Sequence, residues 1–567
     1  MTAPTGLADA LQELRDRVAA APLALAVPGR DDALRAARGV VDQVDDYLLP
    51  RLRDLDAPLL TVVGGSTGAG KSTLVNSVLG ATVSAPGVLR PTTRAPVLVC
   101  APTDRGQFSG DRVLPGLART TGAGEPGPGG LRLVTTDALP PGLALVDAPD
   151  VDSVVEANRD LAGQLLAAAD LWVFVTTAAR YADAVPWDLL RTAQERGTAL
   201  AVVLDRVPPE AVREVTDDLV GMLQRAGLSA ATLFVIEERP LPDGFLPEDQ
   251  VAPLRSWLHA LAADQEQRAA VVRQTLAGAL QSLDDRVDGI VAAVEDQTAA
   301  AGALETAAEA AYASARAAVD EGVANGSLLR GEVLARWQEF VGTGEWMRGL
   351  QAQVGRLRDR MTAALTGRPS PADDLRGALE SGVETLLQAE ADRAAERTVT
   401  AWRGLPGGLG LLAGWEEELA GVSPSFTGAA ADAVRDWQGT VLDLVRSQGA
   451  DKRTRARFLS WGVNGAGAAV MIAVFASTAG LSGAELVIAG GTTAVGQRVL
   501  EAVFGDAAVR QLATAARADL DRRAAELLRS EQDRFTALLV EAAPAPGSAD
   551  ELRAAVRTLA AARGARA

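Results

Sequence analysis

The sequence predicts an α/β domain with a mostly parallel sheet and helices on both faces, followed by a long all-α helical bundle carrying an apolar helical hairpin. Three observations predict it. Six short apolar runs, "LLTVVG", "APVLVCA", "LALVDAP", "LWVFVTT", "ALAVVLD" and "TLFVIEE", alternate with helical or Gly/Pro-rich stretches, the pattern of buried parallel strands joined by helices. From about Val251 the strand signal stops and amphipathic helical periodicity takes over. Within that helical part, residues 458–481 contain no charged side chain at all.

Bulk properties agree and exclude several functions. A chain of 567 residues exceeds what one core supports, so two or more domains are expected. The net charge of −18 argues against a nucleic-acid partner, because the phosphate backbone rewards clustered positive charge. One cysteine, Cys100, permits no internal disulfide, and one histidine, His259, rules out a Ser-His-Asp triad or a multi-histidine metal site. The N-terminal "MTAPTGLADALQELRDR" has no basic region followed by an apolar core, so it does not read as a secretory signal.

Taken in order, residues 7–20 and 31–55 read as helices, with Asp31 and Asp32 placed to cap the second. Residues 105–130, rich in glycine and proline, read as a surface loop inside the α/β block. Residues 251–322, 327–366, 371–403, 412–420, 429–448 and 505–541 read as helices, broken at "GRPSP", "GLPGGLG" and "APAPGS". The expected domains are residues 1–57 (N-terminal helices packing with the bundle), 58–250 (the α/β domain), 251–457 (the bundle), 458–497 (the apolar hairpin) and 498–567 (C-terminal helices returning to the bundle).

The chain contains only two lysines, Lys71 and Lys452, and Lys71 closes a motif. Gly65, Ser66, Thr67, Gly68, Ala69, Gly70, Lys71 and Ser72 match G-x-x-x-x-G-K-S/T, preceded by the strand "LLTVV" and followed, through Thr73, by the helix "STLVNSVL". That context makes it a P-loop: glycines let backbone N–H groups turn inward around phosphates, and the helix N-terminus adds partial positive charge. Lys71 is placed to reach the β- and γ-phosphates and Ser72 to bind Mg²⁺. Downstream, "RPTTRAPVLV" offers Thr92 and Thr93 as a switch loop meeting Mg²⁺ and the γ-phosphate, with Thr93 the first choice. "LALVDAPD" puts Asp147 at a strand end, where its carboxylate completes the metal shell.

The order P-loop, "RPTTR", "DAPD" resembles the first three nucleotide-binding elements of translation-factor-type GTPases. "KSTLVNSVLG" is similar to the first helix of dynamin-like and septin or immunity-related large GTPases, and the helices returning to an apolar segment resemble bacterial dynamin-like proteins in layout. Motif similarity covers residues 59–238. The resemblance implies GTP and GDP as ligands, Mg²⁺ as the metal and GTP hydrolysis as the activity, with Lys71 and Thr93 catalytic. It also implies a homodimer through the nucleotide face or a hetero-oligomer with a related GTPase.

Three positions depart from the family pattern. Asp150 stands where the DxxG element ends in glycine, and a carboxylate there meets the γ-phosphate with repulsion unless turned away. After the strand "ALAVVL" the base-reading element, normally N/T-K-x-D, is Asp205-Arg206-Val207-Pro208. Arg206 can stack on a base, but Pro208 offers no carboxylate to guanine. Gly68 stands where dynamins place serine, which predicts slow turnover or turnover stimulated by assembly. These departures motivate a second hypothesis, a nucleotide-bound scaffold with little hydrolysis. A third, an ABC-type ATPase, rests on "GAGKSTL" and a faint "LSGAE" echo, and lacks a strand ending in Asp-Glu after it.

Two readings fit residues 458–495. A helix of residues 458–481 measures about 36 Å at 1.5 Å per residue, enough for a bilayer core of about 30 Å, and Lys452, Arg453, Arg455, Arg457 and Arg498 flank the segment on the side expected to face the cytoplasm. Alternatively, its small residues pack a buried helical hairpin. The first reading is preferred, so membrane lipid is an expected partner through residues 458–497, at the cytoplasmic face of the cell membrane.

Overall fold

The computed structural model describes residues 6–84, 95–110, 113–114, 116–122, 129–151, 156–324, 371–448 and 506–564. The chain divides into two compact units. One comprises Met1–Leu23, Gly29–Glu295 and Ala545–Ala567, the other Ala24–Pro28 and Asp296–Pro544. The apolar segment 458–497, the helix expected over residues 327–366 and both Thr92 and Thr93 lie outside the described residues.

The first unit is built on an eight-stranded sheet: β1 (Leu59–Gly65), β2 (Val97–Cys100), β3 (Ala118–Thr121), β4 (Gly130–Thr135), β5 (Leu143–Asp147), β6 (Leu171–Thr177), β7 (Ala199–Val207) and β8 (Thr232–Glu237). Their order is β3-β4-β2-β5-β1-β6-β7-β8. Every neighbouring pair is parallel except β2 with β5. The six apolar runs read from sequence are strands. The expected loop over residues 105–130 instead contains a short helix (Arg105–Phe108) and β3. The sequence "ARTT" escapes notice because β3 is a short, largely exposed edge strand with no apolar run to bury.

Strand alternation sorts side chains onto two faces. Leu59 and Val63 of β1 and Leu171, Val173 and Val175 of β6 point to one face. There they meet α4 (Lys71–Leu79) and α9 (Glu248–Ala263), helices numbered in chain order with α1 (Leu7–Ala19), α2 (Arg30–Gln43), α3 (Leu49–Arg53), α5 (Arg105–Phe108), α6 (Glu156–Ala167), α7 (Ala184–Glu195) and α8 (Val212–Arg225). Helix α9 buries Val251, Leu254, Leu258 and Leu261, a three- and four-residue spacing that makes one apolar stripe. Each such side chain stabilises by at most about 1.5–3 kcal/mol. Leu60, Val62 and Trp172 point to the opposite face, against Ala162 and Leu165 of the helix Glu156–Ala167, while Phe174, Val202 and Leu204 pack with Trp187, Leu190, Leu219 and Leu223. Helices therefore cover both faces.

A further core in this unit joins distant parts of the chain. Leu11, Leu14 and Val18 of α1, Val40 of α2, Leu283, Val287 and Ile290 of α10 (Gln265–Ala324), and Leu552, Ala555 and Leu559 of the helix Ser548–Gly564 pack together. At Gly197, φ is +64° and a Cβ would lie 2.8 Å from the Cα of Gly278, so the loop before β7 and helix α10 meet backbone to backbone.

The described part of the second unit is helical. Part of α10 and the helices Pro371–Gly404, Phe426–Gln448 and Asp506–Ala542 bury a common core. On α10 the buried positions Leu304, Ala308, Tyr312, Ala315, Val319 and Val323 recur every three or four residues. The two indole N–H groups buried in this core are satisfied: Trp402 Nε1 donates to the Leu304 carbonyl at 2.9 Å and Trp437 Nε1 to the Ala516 carbonyl at 2.7 Å. Trp402 packs edge-on against Phe535 with ring centroids 5.3 Å apart. Among the described residues, no helix is long and apolar enough to cross a membrane.

Candidate nucleotide site

The site forms where β1 ends and α4 begins. Gly65 closes β1 at φ +151°, and a Cβ there would stand 2.0 Å from the Val175 carbonyl oxygen, so only glycine lets β1 and β6 approach this closely. Gly70, at φ +90°, is the cap residue of α4, and no side chain caps that helix. Its N-terminus therefore points partial positive charge into the turn. A Cβ on Gly70 would come within 2.6 Å of Asp205 Oδ2. Between them Ala69 N–H donates to the Ser66 carbonyl at 3.1 Å.

Lys71 folds back over this turn. Its Nζ donates to the carbonyls of Gly65 at 2.9 Å and Ser66 at 3.0 Å, and to Asp150 Oδ1 at 2.5 Å. The lysine and aspartate side chains are only 5% and 6% exposed. Asp150 reaches that place because the segment after β5 continues along the P-loop: Ala148 N–H donates to Val63 and Val151 N–H to Gly65. Asp150, a departure from the family pattern in the sequence, has the ammonium of Lys71 as its partner.

Asp147 ends β5, paired with Val63 of β1 and Val97 of β2, and is fully buried. Its Oδ2 accepts hydrogen bonds from Ser72 Oγ at 2.7 Å and Ser84 Oγ at 2.6 Å. Its Oδ1 is buried with no hydrogen-bond partner among the described residues. Burial pushes the carboxyl above its ordinary range, and the Ser84 and Ser72 hydroxyls and the Lys71 charge oppose that push. A buried carboxylate oxygen with no partner, beside a P-loop serine, is a donor set that fits Mg²⁺, a hard cation that takes one or two protein oxygens and completes its shell with phosphate oxygens and water. Among the described residues no cluster of three or more Asp, Glu, His or Cys forms an all-protein metal cage. Ser84 was missed from sequence: it lies in no motif, and Asn76 of α4 holds its turn by accepting from the N–H groups of Val83 and Ser84.

At the far side of the loop, Asp205 and Arg206 sit where β7 bulges away from β8. Arg206 adopts φ +54°, its N–H donates to Asp205 Oδ1 at 2.8 Å, and its side chain is 53% exposed. Burial pushes the Asp205 carboxyl up to about 6, opposed by the Arg206 N–H and guanidinium. Arg180, in the loop after β6, donates to the Thr67 carbonyl at 2.8 Å, a contact no motif signals. The structure thus gathers the P-loop from Gly65 to Thr73, Asp147, Asp205 and Arg206 around one turn, and adds Asp150, Ser84 and Arg180.

No protein-family model and no curated protein matches the chain. Bacterial dynamins are among the solved structures that match along nearly its whole length. One, from work on an oligomerised bacterial dynamin pair for long-range sensing and tethering of membranes, is 10% identical, covers 99% of this chain and 96% of its own, and has a TM-score of 0.39. LeoA, a bacterial dynamin GTPase from ETEC, is 13% identical over 99% of this chain and 98% of its own, at a TM-score of 0.24. Toc33 from Arabidopsis thaliana, in complex with Mg²⁺ and GMPPNP, is 16% identical over 40% of this chain and 93% of its own, at a TM-score of 0.25.

Proposed function

We propose that the chain is a dynamin-like P-loop GTPase that binds GTP and GDP with Mg²⁺, hydrolyses GTP slowly, and couples nucleotide state to a membrane surface. The single observation that carries the nucleotide part is the assembly of Lys71, Ser72 and a buried Asp147 with an unpartnered oxygen at one uncapped helix N-terminus. Lys71 grips the outer phosphates. Ser72 and Asp147 hold the metal, whose charge neutralises the phosphate oxygens when bound, and Thr93 senses the γ-phosphate. Arg206 stacks on the base, with Asp205 bracing the P-loop beneath it. The motif resemblance supports guanine over adenine, self-association through the nucleotide face or pairing with a related GTPase, and the dynamin assignment. The uncharged stretch and its flanking cations support lipid contact through residues 458–497 at the cytoplasmic face of the membrane.

A second reading, a nucleotide-bound scaffold with little hydrolysis, is favoured by the Lys71–Asp150 pair. Phosphate release from GTP and ATP, measured with and without anionic liposomes, decides between them. Release specific to GTP, raised by liposomes and abolished in Lys71→Ala, is the expected result. Tight nucleotide binding with release indistinguishable from Lys71→Ala under every condition leaves the scaffold. Absence of any binding of either purine triphosphate at millimolar levels removes both.

A further inference from the structure

We propose that Asp150 is a built-in competitor for the terminal phosphate at Lys71, so that the resting site takes a nucleoside diphosphate in preference to a triphosphate. The inference rests on the nucleotide-binding reading above and adds an internal anion that the longer nucleotide must displace.

A lysine ammonium has three donors, and Lys71 spends all three: on the Gly65 carbonyl, the Ser66 carbonyl and Asp150 Oδ1. A phosphate oxygen that bonds Lys71 must therefore take the place of one acceptor. The two carbonyls are fixed parts of the turn. Gly65 is wedged against the Val175 backbone and its carbonyl also accepts the Val151 N–H, while the Ser66 carbonyl accepts the Ala69 N–H. Asp150 is the acceptor that can leave, since only its side chain joins the cluster.

Its departure is costly in charge. The pair is almost fully buried, where solvent and salt screen little. Either nucleotide seats its β-phosphate in the cradle of backbone N–H groups at the helix start, where several donors besides Lys71 hold it whether or not Asp150 leaves the lysine. A triphosphate carries one more charged group outward to the lysine–aspartate pair and meets the carboxylate directly. Asp150 thus penalises the triphosphate selectively, and events that draw the segment after β5 away from Lys71 open the site to it.

The test uses the full chain with Mg²⁺ and fluorescent guanosine and adenosine diphosphates and non-hydrolysable triphosphates, measuring equilibrium binding for wild type, Asp150→Asn, Asp150→Gly and Asp150→Glu. The expected result is tighter diphosphate than triphosphate binding in wild type. Removing the carboxylate, as Asn or Gly, raises triphosphate affinity about 10–100-fold, the worth of one contact to a charged group, and changes diphosphate affinity by less than about threefold. The Glu variant keeps the wild-type preference. A residue that only props up the lysine would lower both affinities together, so an unchanged triphosphate-to-diphosphate ratio in both Asn and Gly variants overturns the proposal while leaving the nucleotide site intact. Binding of no nucleotide by any form overturns the site reading itself.

Discussion

Arg51 on α3 and Asp170, the residue before β6, form an ion pair with side chains 8% and 0% exposed. Arg51 also donates to the carbonyls of Ala57 at 2.9 Å and Pro58 at 3.2 Å, and Asp170 Oδ2 accepts the Leu60 N–H at 2.8 Å. The cluster therefore pins the start of β1, the strand that ends in the P-loop, to the start of β6. In Arg51→Met, Asp170 remains buried without its cation. Breaking one side of a buried pair costs about 3–5 kcal/mol. Putting Asp170→Asn into the same background restores a neutral acceptor for Leu60 and recovers at least half of that, because the loss is mostly an uncompensated charge. Hydrogen–deuterium exchange on peptides covering β1 and β6 reads the effect separately from the helical unit. Roughly 10²- to 10⁴-fold faster exchange is expected in Arg51→Met. Acceleration below about tenfold, or no recovery with Asn, refutes the reasoning that this pair anchors β1.

Two further substitutions test other parts of the molecule. Asp205 binds its proton more tightly in the folded chain, at about 6, than in the unfolded chain at about 3.9. Its contribution is therefore most favourable below about pH 4 and is lost as pH rises through about 6. Asp205→Asn, which keeps an acceptor for the Arg206 N–H, is expected to match wild type near pH 4 and to exceed it above pH 7 by on the order of 2–3 kcal/mol. Thermal unfolding across that range checks it, and parallel profiles for the two proteins refute it. In the helical unit, Trp402→Phe keeps most of the ring but leaves the Leu304 carbonyl without its indole donor. A loss of about 1–3 kcal/mol in urea unfolding is expected, and a change under a few tenths would show that this bond is replaced.

The sheet was legible where burial forced apolar runs. β1, β5, β6 and the first part of β7 are enclosed on both faces and read as largely apolar runs, whereas β3 faces water and carries no such run. β4, "GLRLVT", was also passed over, its pattern interrupted by Arg132. The reversed direction of β2 against β5 has no local signature, because direction is set by connections rather than by side chains. At the site, the P-loop and Asp147 were legible because fixed spacing reflects fixed backbone geometry. Ser84 and Arg180 were not: each arrives from a loop whose path depends on tertiary packing. Asp150 was legible as a misfit, and only its depth of burial next to Lys71 shows what it touches.

The core that unites α1, α2 and α10 with the helix Ser548–Gly564 draws on residues more than five hundred positions apart, from Leu11 to Leu559. A ribosome delivers the early members first. At about 5–20 residues per second, the wait between finishing the α10 contribution and producing the last helix is roughly ten seconds to a minute. During that interval the oily sides of Leu11, Leu14, Val40 and Leu283 have no closing partner. The nascent polypeptide must then be shielded by a chaperone or by provisional pairing of its first helices, and a shortened message ending before Ser548 would release a product prone to aggregate even though every nucleotide-binding residue had already been made.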